Sequence, residues 1–345
     1  MSFNSKRKWR IIQQYIIGWS LAFMFLSIVR GEGTTEIGSV EFKLWKATLV
    51  SLIGGPIFGT LSGYAQILTE EYGYKKISLI QLLLLRIAFA ILFLALMITL
   101  AYFIFGEDIS YLEFAFEPGS FAIYLFILST DVFMFCLRQV HLFMGSNNLW
   151  KLLIGQYYTP REEERIFMFL DLQSSTTHAE RLGHITYSKM IQDCFNDLGV
   201  VIQNDAEIYQ YVGDEAILTW KLRNGIKNEN CLNAYYRFQE QIVRKKSHYT
   251  QYYDCLPVFR AGMHSGIVTV TEVGKYKKEI AYHGDTINTA ARIQGQCKTL
   301  NQDFITSEDL KNKLNSDHFS FDKLGTIDLR GKKEPVPLFA VNLKT

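Results

Sequence analysis

The sequence predicts an α-helical membrane domain followed by an α+β domain, and three observations carry that reading. Four long apolar stretches crowd residues 1–145, the pattern from residue 165 onward alternates between strand and helix periods, and 345 residues leave room for two domains. With 48% hydrophobic and 20% charged residues, the composition excludes a disordered chain. A net charge of +2 gives no global field for nucleic acid, and no Lys/Arg run beyond the first ten residues suggests a groove for it. The five cysteines are scattered and contain no C-x-x-C, which argues against a disulfide framework and a zinc site alike.

A bilayer span takes about 20 apolar residues. Residues 11–29 and 47–69 carry no Lys, Arg, Asp or Glu, residues 77–105 carry only Arg86, and residues 121–143 carry Asp131 and Arg138. No small-residue cleavage site follows the first stretch, so four transmembrane helices are expected rather than a cleaved leader. Lys6, Arg7, Lys8 and Arg10 precede the first helix, and Lys75 and Lys76 lie between the second and third. Between Ile87 and Leu137 there is no Lys or Arg, and Glu107, Asp108, Glu113 and Glu117 crowd the loop before the fourth. Both termini are therefore expected on the cytoplasmic side of the cell membrane.

A charge at the centre of a span costs about 2.5–3.5 kcal/mol. Arg86 on the outgoing third helix and Asp131 on the incoming fourth fall within about one helical turn of the same depth. Either they pair inside the bundle, or Arg86 snorkels to the inner headgroups, as Arg138 is expected to do, while Asp131 lines a polar cavity. In the second helix, Gly55, Gly59 and Gly63 have the small-xxx-small spacing that lets helices approach closely.

Residues 146–164 read as a connector, with a short amphipathic helix around Leu149, Trp150, Leu152 and Leu153 that ends before Pro160 and Arg161–Glu164. It is a tether or, if the bundle senses anything, the route by which a signal passes. The α+β domain is expected over 165–345. Ile166–Leu172 reads as a buried strand, and apolar residues from Leu182 to Leu198 recur at helical spacing behind a Thr177-x-x-Glu180 capping box. Ala206–Trp220 reads as a hairpin turning at Gly213-Asp214, followed by a helix around Cys231–Lys246 and strands at Val258–His264 and Ile267–Glu272. This β-α-β-β-α-β order is the ferredoxin-like arrangement. A helix at Ala290–Gln296 and strands near Ile327–Leu329 and Leu338–Val341 complete the chain.

Asp171 ends the first strand, and Asp214 sits in the turn of the hairpin expected beside it. Singly, each reads as a cap or a turn former. Together, with no basic side chain alongside in sequence, they fit a divalent-cation site of hard oxygen ligands, Mg²⁺ or Mn²⁺. Just beyond, Gln173–Thr177, with Ser175 and Thr176, opens a helix whose free N–H groups can take phosphate. Metal plus phosphate points to nucleotide chemistry.

Four segments together resemble the class III nucleotidyl cyclase domain over about Glu163–Val341. They are Phe169-Leu170-Asp171-Leu172-x-x-Ser175-Thr176, Tyr211-Val212-Gly213-Asp214-Glu215, Gly262-Met263-His264-Ser265-Gly266, and Gly284–Arg292 (GDTINTAAR). The resemblance implies that Asp171, Asp214 and the Leu172 carbonyl hold two metal ions. It implies that Asn288 orients the ribose, that Arg292 neutralises charge on the α-phosphate, and that Arg260 and Lys332 grip the β- and γ-phosphates. It also implies a homodimer, with the metal aspartates from one subunit and Asn288 and Arg292 from the other.

The base-contacting pair departs from the family pattern. Gln210 and Ala281 stand where ATP users usually have Lys and Asp or Thr. A Gln amide can match adenine or, flipped, guanine. ATP, giving cyclic AMP and pyrophosphate, is the expected substrate as the commonest in such proteins, with GTP or a pyrimidine nucleotide as the alternative. A non-catalytic membrane receptor with a cyclase-like domain is the rival class, and it predicts the loss of at least one of Asp171, Asp214, Asn288 and Arg292. All four are present. No P-loop occurs, and the hairpin lacks the Gly-Gly-Asp/Glu-Glu-Phe of diguanylate cyclases.

Overall fold

A computed structural model describes residues 3–33, 44–73, 77–105, 110–116, 120–145, 148–328 and 334–344. They fall into two compact units, residues 1–143 and 144–345.

The first unit is all helical: α1 (Phe3–Gly33), α2 (Leu44–Leu68, running into a π-helical turn at Thr69–Gly73), α3 (Leu79–Phe105), the single turn α4 (Tyr111–Ala115) and α5 (Ser120–Met144). Among the described residues three helices are long and apolar enough to cross a membrane, within α1, α3 and α5. The segment read as the second span is a helix of 25 residues, Leu44–Leu68, and is not among those three. A Cβ on Gly55 or Gly59 would collide with the backbone of α1 at Ser20 and Ile16, so only glycine permits this approach. Ile11, Tyr15 and Trp19 of α1, Ile67 of α2, Leu94 of α3 and Ile127 of α5 share one core.

Arg86 and Asp131 do pair. Arg86 Nε donates to Asp131 Oδ2 at 2.7 Å and Nη2 to Oδ1 at 2.8 Å, with Ser62 Oγ donating to Oδ1 at 2.5 Å. Both are buried, at 2% and 4% exposure. Arg138 donates to Glu70, just past the end of α2, at 2.7 and 3.1 Å.

The second unit opens with α6 (Asn148–Leu153), and β1 (Arg161–Leu172) begins five residues earlier than the pattern suggested. Arg161–Glu164, read above as the end of the connector, are strand residues paired with Ile267–Val270. There follow α7 (Ser175–Leu198), β2 (Glu207–Val212), β3 (Glu215–Lys221), α8 (Leu222–Ile226), α9 (Asn230–Arg244), α10 (Lys246–Tyr253), β4 (Phe259–Val273), β5 (Glu279–His283), α11 (Asp285–Thr299), β6 (Phe304–Ser307), α12 (Glu308–Lys311), β7 (Phe319–Ile327) and β8 (Val336–Leu343). The sheet order is β2-β3-β1-β4-β6-β8-β7, with β5 paired to β4. Its first four strands, antiparallel throughout, are the expected ferredoxin-like core.

Three local expectations change. The helix of α7 starts at Ser175 behind Ser174, whose φ is +57°, so Thr177 already lies in the first turn and no Thr177/Glu180 capping box forms. Gly183, at φ +72°, kinks the same helix. The two strands read at 258–264 and 267–272 are one, because Gly266 stays in register opposite Arg165.

The sheet buries two layers. Ile166, Met168, Leu170 and Leu172 face α7 and α9, and Phe167, Phe169 and Ile217 face α11 and β5. Alternation along β1 therefore sends Asp171 to the α11 face.

Candidate active site

Asp171 is the last residue but one of β1, where it lies in register with Glu215 of β3 on one side and Arg260 of β4 on the other. Asp214 sits in the β2–β3 turn beside it, with Gly213 at φ +62° making the turn possible. The Asp171 carboxyl is pushed up, first by burial and then by the charge of Asp214, although the Gln294 amide and the Leu172 backbone N–H donate to it. Glu215 is pushed up to about 7 by burial and by both aspartates. The charge of Asp214 raises both Asp171 and Glu215, a repulsion that a bound cation would relieve. The donors are hard oxygens, which fits Mg²⁺ or Mn²⁺.

Opposite charge is close by but directed elsewhere. Arg260 Nε lies 3.5 Å from Asp303 Oδ1, and it is buried without a hydrogen bond. Ser175 is half-buried and Thr176 exposed in the first turn of α7, where backbone N–H groups are free. Tyr187, past the kink of α7, reaches back to both Ser175 and Asp214, and its phenol is pushed up to about 12 by burial and the Asp214 charge.

Asn288 and Arg292 lie on α11, Asn288 exposed and Arg292 half-buried. Arg292 Nη1 is 3.8 Å from Asp285 Oδ1 and has no hydrogen bond. Gln294, two residues on, is the α11 side chain that meets Asp171. At about 100° per residue, Asn288 and Arg292 therefore project from other faces of the helix than the one turned to this chain's own aspartates. Gln210 is exposed on β2, and Ala281 is half-buried on β5. Their neighbours Tyr209 and Tyr282 meet ring to ring at 4.9 Å. Lys332 lies outside the described residues.

Sequence reasoning missed Glu215, Gln294 and Tyr187. The two-residue turn at Gly213-Asp214 carries the signal for Glu215, since it forces that residue into register with the end of β1. Nothing local marks the other two.

A ferredoxin-like sheet with paired carboxylates at one strand end, beside a helix N-terminus, defines a nucleotide-handling α+β domain. The chain belongs to the adenylate and guanylate cyclase catalytic domain family, which matches residues 157–342. It is 30% identical over 224 residues to "Adenylate cyclase 2" of Rhizobium meliloti (strain 1021), a match covering 64% of this chain and 62% of that one. With "Adenylate cyclase 1" of the same organism it shares 26% identity over 185 residues, 52% of this chain and 27% of the other. The chain thus spans less than two thirds of either relative. The structure of a bacterial light-regulated adenylyl cyclase has the same fold, at a TM-score of 0.56 and 17% identity over 66% of this chain and 67% of that one.

Proposed function

We propose that the protein is a membrane-bound nucleotidyl cyclase that converts ATP to 3′,5′-cyclic AMP and pyrophosphate at sites shared between two copies of the chain. The observation that carries this reading is the convergence of Asp171 and Asp214 at one sheet end, where burial and then the charge of Asp214 disfavour charge on Asp171. Asp171, Asp214 and the Leu172 carbonyl would hold two Mg²⁺ ions. When bound, these would acidify the ribose 3′-hydroxyl and offset the triphosphate charge.

The chain's own groups do the rest. Free N–H groups at the start of α7, with Ser175 and Thr176, would receive phosphate oxygens. Arg260 and Lys332 would hold the β- and γ-phosphates; the buried, unbonded Nε of Arg260 is a donor suited to such an anion. Gln210 and Ala281 would meet the base. Asn288 would fix the ribose, and Arg292 would neutralise charge growing on the α-phosphate. Because the last two turn away from their own chain's aspartates, they would serve the aspartates of a second copy. That makes a homodimer the active form.

In this reading α2 joins α1, α3 and α5 as a fourth span, residues 1–145 form the membrane domain, 146–164 the connector and 165–345 the catalytic domain, and both termini face the cytoplasm. The test is product identification by mass spectrometry, with membranes given equal ATP, GTP, CTP and UTP and Mg²⁺ or Mn²⁺, and Asp214→Asn membranes as control. Cyclic AMP absent from the control supports the reading, and a different cyclic nucleotide reassigns Gln210. No product with either metal sinks it. Mixing Asp214→Asn with Arg292→Ala chains should restore activity that neither has alone.

A further inference from the structure

Arg165 of β1 is completely buried, yet it carries a charge into the core of the second unit. Two carboxylates receive it: Nε donates to Glu163 at 2.8 Å and Nη1 to Glu207 at 3.4 Å. Those carboxylates are themselves held from the segment that precedes the sheet. Tyr157 donates its hydroxyl to Glu163 at 2.6 Å, and Lys151 of α6 reaches Glu207 at 3.3 Å. The flat face of the guanidinium lies over the ring of Tyr282, 4.8 Å from its centroid. Tyr282 in turn packs edge-on against Tyr209 at 4.9 Å and against Phe167 at 5.4 Å.

Tyr209 is the extra residue of a β-bulge. The β2–β3 register runs Ile208↔Leu218 and then Gln210↔Ile217, skipping Tyr209. Leu218 belongs to the layer under α7 and α9, whereas Ile217 belongs to the layer under α11 and β5, and Tyr209 packs in that second layer too. Two consecutive residues, Tyr209 and Gln210, thus share one face. Under strict alternation Gln210 would share the face of Ile208, away from Asp171.

We propose that Arg165 and Tyr282 are positioning residues that clamp the Tyr209 bulge, and that this clamp turns Gln210 to the face where it selects the base. The proposal rests on the cyclase reading for the role of Gln210, but the clamp itself is a property of the fold. An unclamped bulge can slide along β2, because a bulge has no hydrophobic pattern of its own to fix its place. Arg suits the position better than Lys, since only a planar guanidinium both forks to two carboxylates and stacks on a ring.

Two measurements on the full-length membrane protein test it. The first is kcat/KM for ATP and for GTP in wild type, Tyr282→Leu, Tyr282→Phe, Arg165→Lys and Gln210→Ala. A mispositioned polar contact costs selectivity, so Tyr282→Leu and Arg165→Lys should each shift the ATP:GTP ratio about tenfold, mainly through KM, while Tyr282→Phe keeps the ring and the ratio. Combining Tyr282→Leu with Gln210→Ala should shift it no further than Gln210→Ala alone. The second is hydrogen exchange of the amides of residues 207–212, which should speed up about tenfold in Tyr282→Leu while β1 and β4 stay protected. An unchanged ratio in both Tyr282→Leu and Arg165→Lys, or an additive double variant, overturns the role in selection. Unchanged exchange in β2 overturns the clamp. A wild type that makes no cyclic nucleotide would sink the cyclase reading and the selection role with it, and the exchange experiment would still decide the clamp.

Discussion

Removing the carboxylate of Asp131 should destabilise the helical unit far more than removing both members of its ion pair. Arg86 makes two hydrogen bonds to Asp131, at 2.7 and 2.8 Å, and one to Ser62 at 2.5 Å, while its Nη1 has none. In Asp131→Leu the guanidinium keeps only the bond to Ser62, inside a core where its side chain is 1% exposed. Hydrogen bonds to charged groups contribute about 1.5–3 kcal/mol each, and a buried charge stripped of its partner costs about 3–5 kcal/mol in all. The lower figure corresponds to roughly a hundredfold in the unfolding equilibrium. Replacing both residues, Arg86→Met with Asp131→Leu, removes the desolvated charges together and should cost less than about 1 kcal/mol. The assay is reversible unfolding in mixed detergent micelles, followed by tryptophan fluorescence and run as a double-mutant cycle. If Asp131→Leu alone costs under 1 kcal/mol, or the double variant is as unstable as the single, the pair does not hold the bundle as its geometry requires.

Helix contact gives a graded prediction: Gly59→Ala, which drives a methyl into the Ile16 backbone, should cost about 1–3 kcal/mol, whereas Gly54→Ala meets only the Phe23 ring at 3.6 Å and should be tolerated in the same unfolding assay. Metal-free protein should lose stability as pH rises from about 4.5 to about 7, because Glu215 holds its proton more tightly folded than unfolded; this contribution is full below the lower value and gone above the upper. Thermal melts across that range should show the slope in wild type and a shallower one in Glu215→Gln, and added Mg²⁺ should flatten it. Asp214→Asn should raise the metal-free melting temperature at pH 7, since it relieves Asp171, while abolishing product formation; a lowered melting temperature would contradict the repulsion described at this site.

Much of this architecture is legible in the residues because it rests on repeated signals. A long apolar stretch specifies each membrane-type helix, and the ends of two fall within two residues of those expected at 77–105 and 121–143. The β1–α7–β2–β3 order follows from period changes and one Gly-Asp turn. What escaped were features that depend on a single residue or on distant partners. The strands β5 and β6 are five and four residues long, and β5 lies in a lysine-rich stretch, so neither outweighs its surroundings. The capping box failed because Ser175, Thr176 and Thr177 offer several starts, and a backbone turn at Ser174 chose the earliest. The bulge at Tyr209 was invisible because EIYQYV alternates acceptably without it. Its placement depends on Tyr282, which lies far along the chain.

The charges inside this protein follow one pattern, and its exception falls at the candidate site. Arg86 is matched by Asp131, Arg138 by Glu70, and Arg165 by Glu163 and Glu207. In each case a buried cation has found carboxylates, which is the arrangement that makes burial tolerable. Asp171, Asp214 and Glu215 do the reverse. Three acids gather at one strand end, two of them pushed toward protonation, while Arg260, their cross-strand neighbour, leans to Asp303. A fold that pairs its other buried charges so consistently would gain stability by drawing Arg260 onto Asp171. Leaving both short of partners makes physical sense when the missing charges arrive together, a cation for the acids and a phosphate for the arginine. A metal-bound nucleoside triphosphate carries both.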